Sequence, residues 1–140
     1  TGVTGMGLHS EAKLDQKIIA MIKQLNLYLN HFPNHEKFGL SQQIRNAAYD
    51  VYGYAVEAQK RYIKKTTLTN MDIRHEQLRM FLRVAFELGY FEFRSGTKET
   101  DKKQDAVRRY HVISIMIDEV GRMIGGWFAA ERGKEKRDAS

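Results

Sequence analysis

Cysteine is absent from these 140 residues, which excludes a disulfide framework, a thiolate metal site and a cysteine nucleophile. Proline occurs once, at Pro33, so almost nothing interrupts helix formation. No apolar run approaches the ~18 residues that a membrane-spanning helix needs. The N-terminus lacks a basic-then-apolar signal pattern, and a cytoplasmic, non-membrane protein is expected. TGVTG, ahead of Met6, reads as a cloning scar. Residues 1–9 are therefore set apart as scar and flexible N-terminus, with one domain expected over residues 10–133.

Catalytic signatures are missing too. There is no Gly-rich phosphate loop, nucleophile elbow or dinucleotide fingerprint. His31 and His35 are split by Pro33 and share no helix face. His75 and Glu76 begin like a zinc-protease motif, but Arg79 stands where the second histidine belongs. His9 and His111 have no ligand pattern around them, and the Glu-x-x-His pairs of a di-iron bundle do not occur. Asp118 and Glu119 are adjacent and point at different angles around a helix, as on a solvated face. No metal, no cofactor and no enzymatic activity are expected.

What is present is helical periodicity and positive charge. Hydrophobic residues make up 42% and charged residues 29%, with a formal net charge of +6 and a sequence pI near 9.5. A basic balance favours an anionic partner, most often nucleic acid. The first helix is predicted from Ser10 to His31, carrying a stripe of Leu14, Ile18, Met21, Leu25 and Leu29, and is ended by Pro33. In the following loop, Phe38 is expected to fold back onto the core. The second helix is predicted from an N-cap at Ser41 to about Lys65, with Ile44, Ala47, Ala48, Val51, Ala55, Ala58 and Tyr62 buried. Tyr49, Tyr52 and Tyr54 do not fit one narrow stripe, which points to a boundary or a subunit interface. The helix ends in a basic cluster, Lys60, Arg61, Lys64 and Lys65.

A third helix is predicted from an N-cap at Asn70 to Phe93, burying Leu78, Phe81, Leu82, Ala85, Leu88 and Gly89. Arg79 and Arg83 lie one turn apart on another face, a spacing suited to straddling phosphates. The polar stretch SGTKETDKKQD reads as a loop. The fourth helix is predicted from Lys102 to Arg132, with Ala106, Tyr110, Ile113, Ile117, Val120, Ile124 and Trp127 in alternating steps of four and three. Residues 134–140 are expected to be a charged, disordered tail. Inside that last helix, Gly121, Gly125 and Gly126 give up about 3 kcal/mol of helix preference, which points to a close-packed partner helix, with Trp127 closing the core. Asp118 is placed to pair with Arg122. The class expected is all-α, an up-down antiparallel four-helix bundle whose surplus apolar surface points to a homo-oligomer.

Three stretches carry a family resemblance over most of Leu14 to Arg132. EVGRMIGGWF at 119–128 resembles the C-terminal helix motif of the accessory variability determinant proteins of diversity-generating retroelements. LRMFLR at 78–83 is similar to that family's basic third-helix motif. FPNHEKFGLSQQIRNAA at 32–48 resembles the helix one–two junction of a broader four-helix group, which includes proteins encoded by intervening sequences in ribosomal RNA genes. The run AAYDVYGYAVEA departs from the pattern of many members of that broader group. The resemblance implies a ring-like or barrel-like pentamer with two kinds of partner, a reverse transcriptase and RNA or DNA. It also implies a supporting role in mutagenic cDNA synthesis with no catalytic residue of its own. Arg79, Arg83 and Arg122 are the residues it marks for binding. The Lys60–Lys65 cluster is added on charge alone, and Gly121, Gly125, Trp127 and Tyr52 are assigned to packing or the oligomer interface. The alternative is an interaction protein of the ribosomal-insert type with no polymerase partner.

Overall fold

The computed structural model describes residues 8–94, 96 and 101–139. The stretch 1–7 and part of the loop expected around residues 95–101 lie outside the described residues. Four helices follow one another: α1 (Leu8–Leu29), α2 (Leu40–Lys60), α3 (Lys65–Glu87) and α4 (Lys102–Ala139). No strand occurs among the described residues.

Side-chain pairs fix the direction of every neighbour. The start of α1 meets the end of α2 through Asp15 and Gln59, and the end of α1 meets the start of α2 through Asn26 and Arg45. Thr67 bonds Glu57 and Arg74 bonds Asp50, so α3 runs against α2. His75 meets Ile117 while Phe86 stacks on Tyr110, so α4 runs against α3. Lys17 pairs with Glu119 at 2.9 Å and closes the ring between α1 and α4. The result is an up-down antiparallel bundle.

The core is the apolar line of each helix brought to one axis. Leu14, Ile18 and Met21 of α1 meet Ile44, Val51 and Ala55 of α2, Met71, Leu78 and Leu82 of α3, and Ile113, Ile117 and Ile124 of α4. Small residues dominate α2 (Ala47, Ala48, Ala55 and Ala58), which lets its neighbours approach closely. Trp127 closes one end, with the Lys64 ammonium 5.9 Å from its ring centroid. Phe32, Tyr28 and Phe91 close the other in edge-on contacts. Arg109 is buried there, donating to the carbonyl oxygens of Phe91 at 2.8 Å and Phe93 at 2.7 Å. Its guanidinium lies 3.8 Å from the Phe93 ring centroid, so this cation pins the α3–α4 connection and is not a surface charge.

Several boundaries differ from the sequence expectation. α2 starts one residue before Ser41, which is buried and makes no cap bond, and stops at Lys60. The reason lies in Lys64, whose ammonium donates to the carbonyl oxygens of Ala58 and Arg61 and takes over the last unpaired acceptors of α2. Tyr62 is consequently exposed on the link and not buried. α3 begins at Lys65, five residues before the expected cap at Asn70. It ends at Glu87 because Gly89, at φ +80°, supplies the left-handed turn in which Tyr90 N–H reaches Ala85 and Gly89 N–H reaches Phe86. Leu88 is thus exposed, and Phe91 takes the buried place expected of the Leu88–Gly89 pair. Phe38 is also exposed, its anchoring role being filled by Phe32. Residues 134–139, expected to be disordered, continue α4 as helix.

Removing the end-closing indole should be severe: Trp127→Ala is expected to cost about 3–5 kcal/mol of unfolding free energy, read from a urea titration.

Candidate nucleic-acid interface

Gly121 of α4 faces α3 across an open trough rather than a tight crossing. A Cβ placed on Gly121 would sit 3.5 Å from a guanidinium nitrogen of Arg79 and 3.6 Å from the His75 ring, which are ordinary contacts with side chains. At Gly125 and Gly126 such an atom meets nothing within 4 Å. The expectation of a closely approaching partner helix is therefore not met within the chain. Side chains of α3, not its backbone, stand beside Gly121, and Gly125 is exposed.

The trough is built from both helices. Asp72, His75, Glu76 and Arg79 come from α3, and Asp118, Gly121 and Arg122 from α4. Asp118 bonds Arg79 on the neighbouring helix, not Arg122 on its own. Glu76 holds the other side of Arg79, at 3.2 Å from Nε. Burial works against the Arg79 charge, but the hydrogen bonds and attraction of Asp118 and Glu76 outweigh it and raise its pKa. Arg79 is thus a half-buried, doubly paired cation that joins α3 to α4. Arg83 and Arg122 are both exposed and make no ion pair among the described residues; Arg122 lines the trough and Arg83 does not. Of the three arginines singled out from sequence, two keep their charge available.

His75 lies beneath this trough, 2% exposed, with Nε2 2.8 Å from the Ile117 carbonyl oxygen. That contact requires Nε2 to carry the proton, which in the neutral ring leaves Nδ1 unprotonated, and Nδ1 is buried without a hydrogen-bond partner among the described residues. Burial, disfavouring the cation, holds the His75 pKa below its ordinary value.

The basic cluster at the opposite end of α2 divides the same way. Lys60, Arg61 and Lys65 are exposed, Arg61 pairing loosely with Glu57 at 3.4 Å. Lys64 is turned inward as the cap described above and faces Trp127. The extra turns of α4 add Lys134, its ammonium 5.4 Å from the Tyr62 ring centroid. Glu131 and Glu135 line the same cleft and reduce its positive charge. Tyr52 packs half-buried against the core, while Tyr49 is the exposed member of the tyrosine group.

One surface was not singled out from sequence. Ile73, Met80 and Val84 are 45–52% exposed along the side of α3 away from the core. Their spacing of seven and four was visible as a second apolar line, hidden by attention to the first.

The bAvd-like family model matches residues 13–131. The chain belongs to the bAvd-like family. The match runs from the first core turn of α1 to the turn after Trp127, so it takes in all four helices and the whole trough. Membership agrees with the resemblance carried by EVGRMIGGWF and makes the chain an Avd-type protein. No curated protein matches the sequence. No described helix of this bAvd-like chain is long and apolar enough to cross a membrane.

Two outcomes follow for the trough. Gly125→Ala should stabilise the chain by up to about 1 kcal/mol, because the methyl group meets open space and the helix preference improves; thermal unfolding measures it. His75 has a depressed folded pKa, so below pH ~6.5 the unfolded chain takes up a proton that the folded one refuses. Stability is then complete above that pH and declines as pH falls towards the folded value. Unfolding free energies at pH 7.0 and 5.5 should show a drop that His75→Gln reduces.

Proposed function

We propose that this protein is a non-catalytic accessory component of a diversity-generating retroelement. In this reading it binds nucleic acid and the element's reverse transcriptase and supports mutagenic cDNA synthesis, working as a homo-oligomer that the resemblance makes a pentamer. The observation that carries the reading is membership of the bAvd-like family across all four helices.

The surface chemistry supports it in two ways. The net charge of +6 favours polyanions. Arg83 and Arg122 are exposed and make no ion pair among the described residues, so each is open to a backbone phosphate, Arg122 from a trough that Asp72, Glu76 and Asp118 also line. Contacts of that kind add affinity without reading sequence and are strongly salt-dependent. Arg79, being paired twice, acts mainly by holding α3 and α4 in register. The exposed Ile73–Val84 line supplies apolar area of the kind that protein partners cover.

Nucleic-acid binding measured against salt is the discriminating experiment. Arg83→Ala with Arg122→Ala should weaken binding and lower the salt slope by about 1–2, with helicity unchanged. Unchanged affinity would place the nucleic acid on another face. Failure to co-purify with the neighbouring reverse transcriptase at moderate salt would instead favour the polymerase-free reading.

A further inference from the structure

At the end of the bundle closed by Phe32 and Phe91, one side chain is used by neither the core nor the trough. His31 follows α1, and its imidazole stacks on Phe93 with centroids 4.4 Å apart and planes 9° apart. The other neighbour of Phe93 is Arg109, whose guanidinium lies 3.8 Å from the ring centroid. At such distances each neighbour must cover a ring face, and one face has no room for two planar groups. His31 and Arg109 therefore lie on opposite faces of Phe93. The three side chains form one column, with Arg109 at its inner end and His31 at its outer end.

The column is held rigidly. Arg109 is buried and fixed by the carbonyl oxygens of Phe91 and Phe93, and Tyr28 leans on the Phe93 ring at 6.3 Å. The His31 N–H donates to the Tyr28 carbonyl oxygen at 3.0 Å, and the next side chain, Phe32, is buried in the core. Yet His31 itself is exposed, and neither ring nitrogen makes a hydrogen bond or ion pair among the described residues. Phe93 covers one face, so solvent meets the other face and the ring edge. Cations stand close by. Arg94, next to Phe93 in the chain, is exposed and makes no ion pair among the described residues. The exposed Arg108 guanidinium acts electrostatically on Tyr28, which places it beside the same aromatic group. Of the acids at this end, Asp105 pairs with Arg108 at 3.1 Å, Asp101 accepts from the Lys103 N–H at 3.0 Å, and Glu92 is exposed.

A fixed ring with an open π face, free ring nitrogens and cations nearby matches what an unpaired nucleobase and its phosphates require. We propose that His31 is a stacking platform for an unpaired base of a nucleic-acid strand, with Arg94 and Arg108 meeting the adjoining phosphates. Every base has a π face, so the platform adds affinity with little sequence preference. Within a duplex those faces are covered by neighbouring bases, so the platform selects single-stranded nucleic acid. An aromatic side chain of a protein partner would stack equally well but would gain nothing from the two arginines. The inference rests on the nucleic-acid reading above and narrows it to unpaired strands. The column stands where α1 and α3 stop and α4 begins, apart from the trough that Arg122 lines.

Fluorescence anisotropy of the full chain tests this with three labelled probes: a short unstructured single strand, the same strand carrying abasic sites, and its duplex. His31→Ala should weaken single-strand binding about tenfold with the salt slope unchanged, because a stack and not a phosphate contact is lost. His31→Phe should keep the affinity, which also holds the test valid should His31→Ala loosen the end of α1. Arg94→Gln should weaken binding and lower the salt slope by about 1. The abasic strand and the duplex should bind with no dependence on His31→Ala. Single-strand binding that is indifferent to His31→Ala overturns the proposal, as does an equal loss on the abasic strand, or His31→Phe behaving like His31→Ala. Strand binding unchanged by His31→Ala but co-purification with the reverse transcriptase lost would overturn it in favour of a protein partner. In each of those outcomes the chain still binds nucleic acid and the broader reading stands. Absence of binding to all three probes by the unaltered chain overturns both.

Discussion

The bundle rests on one constraint: four apolar lines must reach a common axis at the same height. α2 makes this possible by being small where the others are large. Alanines at four of its buried positions let α1 and α3 approach, so larger side chains from α1, α3 and α4 fill the centre. Polar cross-links then mark the rim of the seam and not its middle. Asp15–Gln59, Thr67–Glu57 and Lys17–Glu119 contribute little energy individually, being partly exposed. Their value is in register, since each is satisfied only when the apolar lines are level.

Electrostatics decides which cations remain for function. Asp118 has two arginines to choose between, one turn along its own helix and one across the seam. It takes Arg79, because the crossing pair sits in a half-buried cleft where attraction is less screened than on the outer face. That choice leaves Arg122 without an ion pair among the described residues and turns Arg79 from a surface charge into a joint between helices. Inward-turned Lys64 and Arg109 undergo the same conversion, one capping a helix end and one gathering loop carbonyls. A count of basic residues therefore overstates the charge that a polyanion meets.

The helical class, the antiparallel order and most of the core were legible in the sequence because periodicity reports burial directly. Leu14 to Leu29 and Ile113 to Trp127 needed no other information. The errors cluster where a helix end is set by something distant in sequence. Lys64 truncates α2 by reaching back six residues, and Gly89 ends α3 through its positive φ, which no apolar count registers. The candidate site was legible at the level of residue type only. Arg79, Arg83 and Arg122 look alike in a sequence, and separating them requires knowing that Asp118 lies across the seam. The glycines misled for a related reason: a missing side chain can admit a neighbouring helix or simply leave space, and only the surroundings of Gly121 and Gly125 tell the two apart.

The length of α4 has a consequence of its own. At 38 residues it outruns its three companions, which span 21 to 23. Past Phe128, which still packs on the core, it meets the short link between α2 and α3, through Tyr62 and Lys134. Cooperativity weakens where tertiary contact ends, so the last turns open and close on their own, faster than the body they extend. Amide exchange would show this as a gradient along a single helix, slow at Ile117 and rapid beyond Glu135. α4 therefore carries its most adaptable turns at the end where Lys60, Arg61 and Lys65 gather.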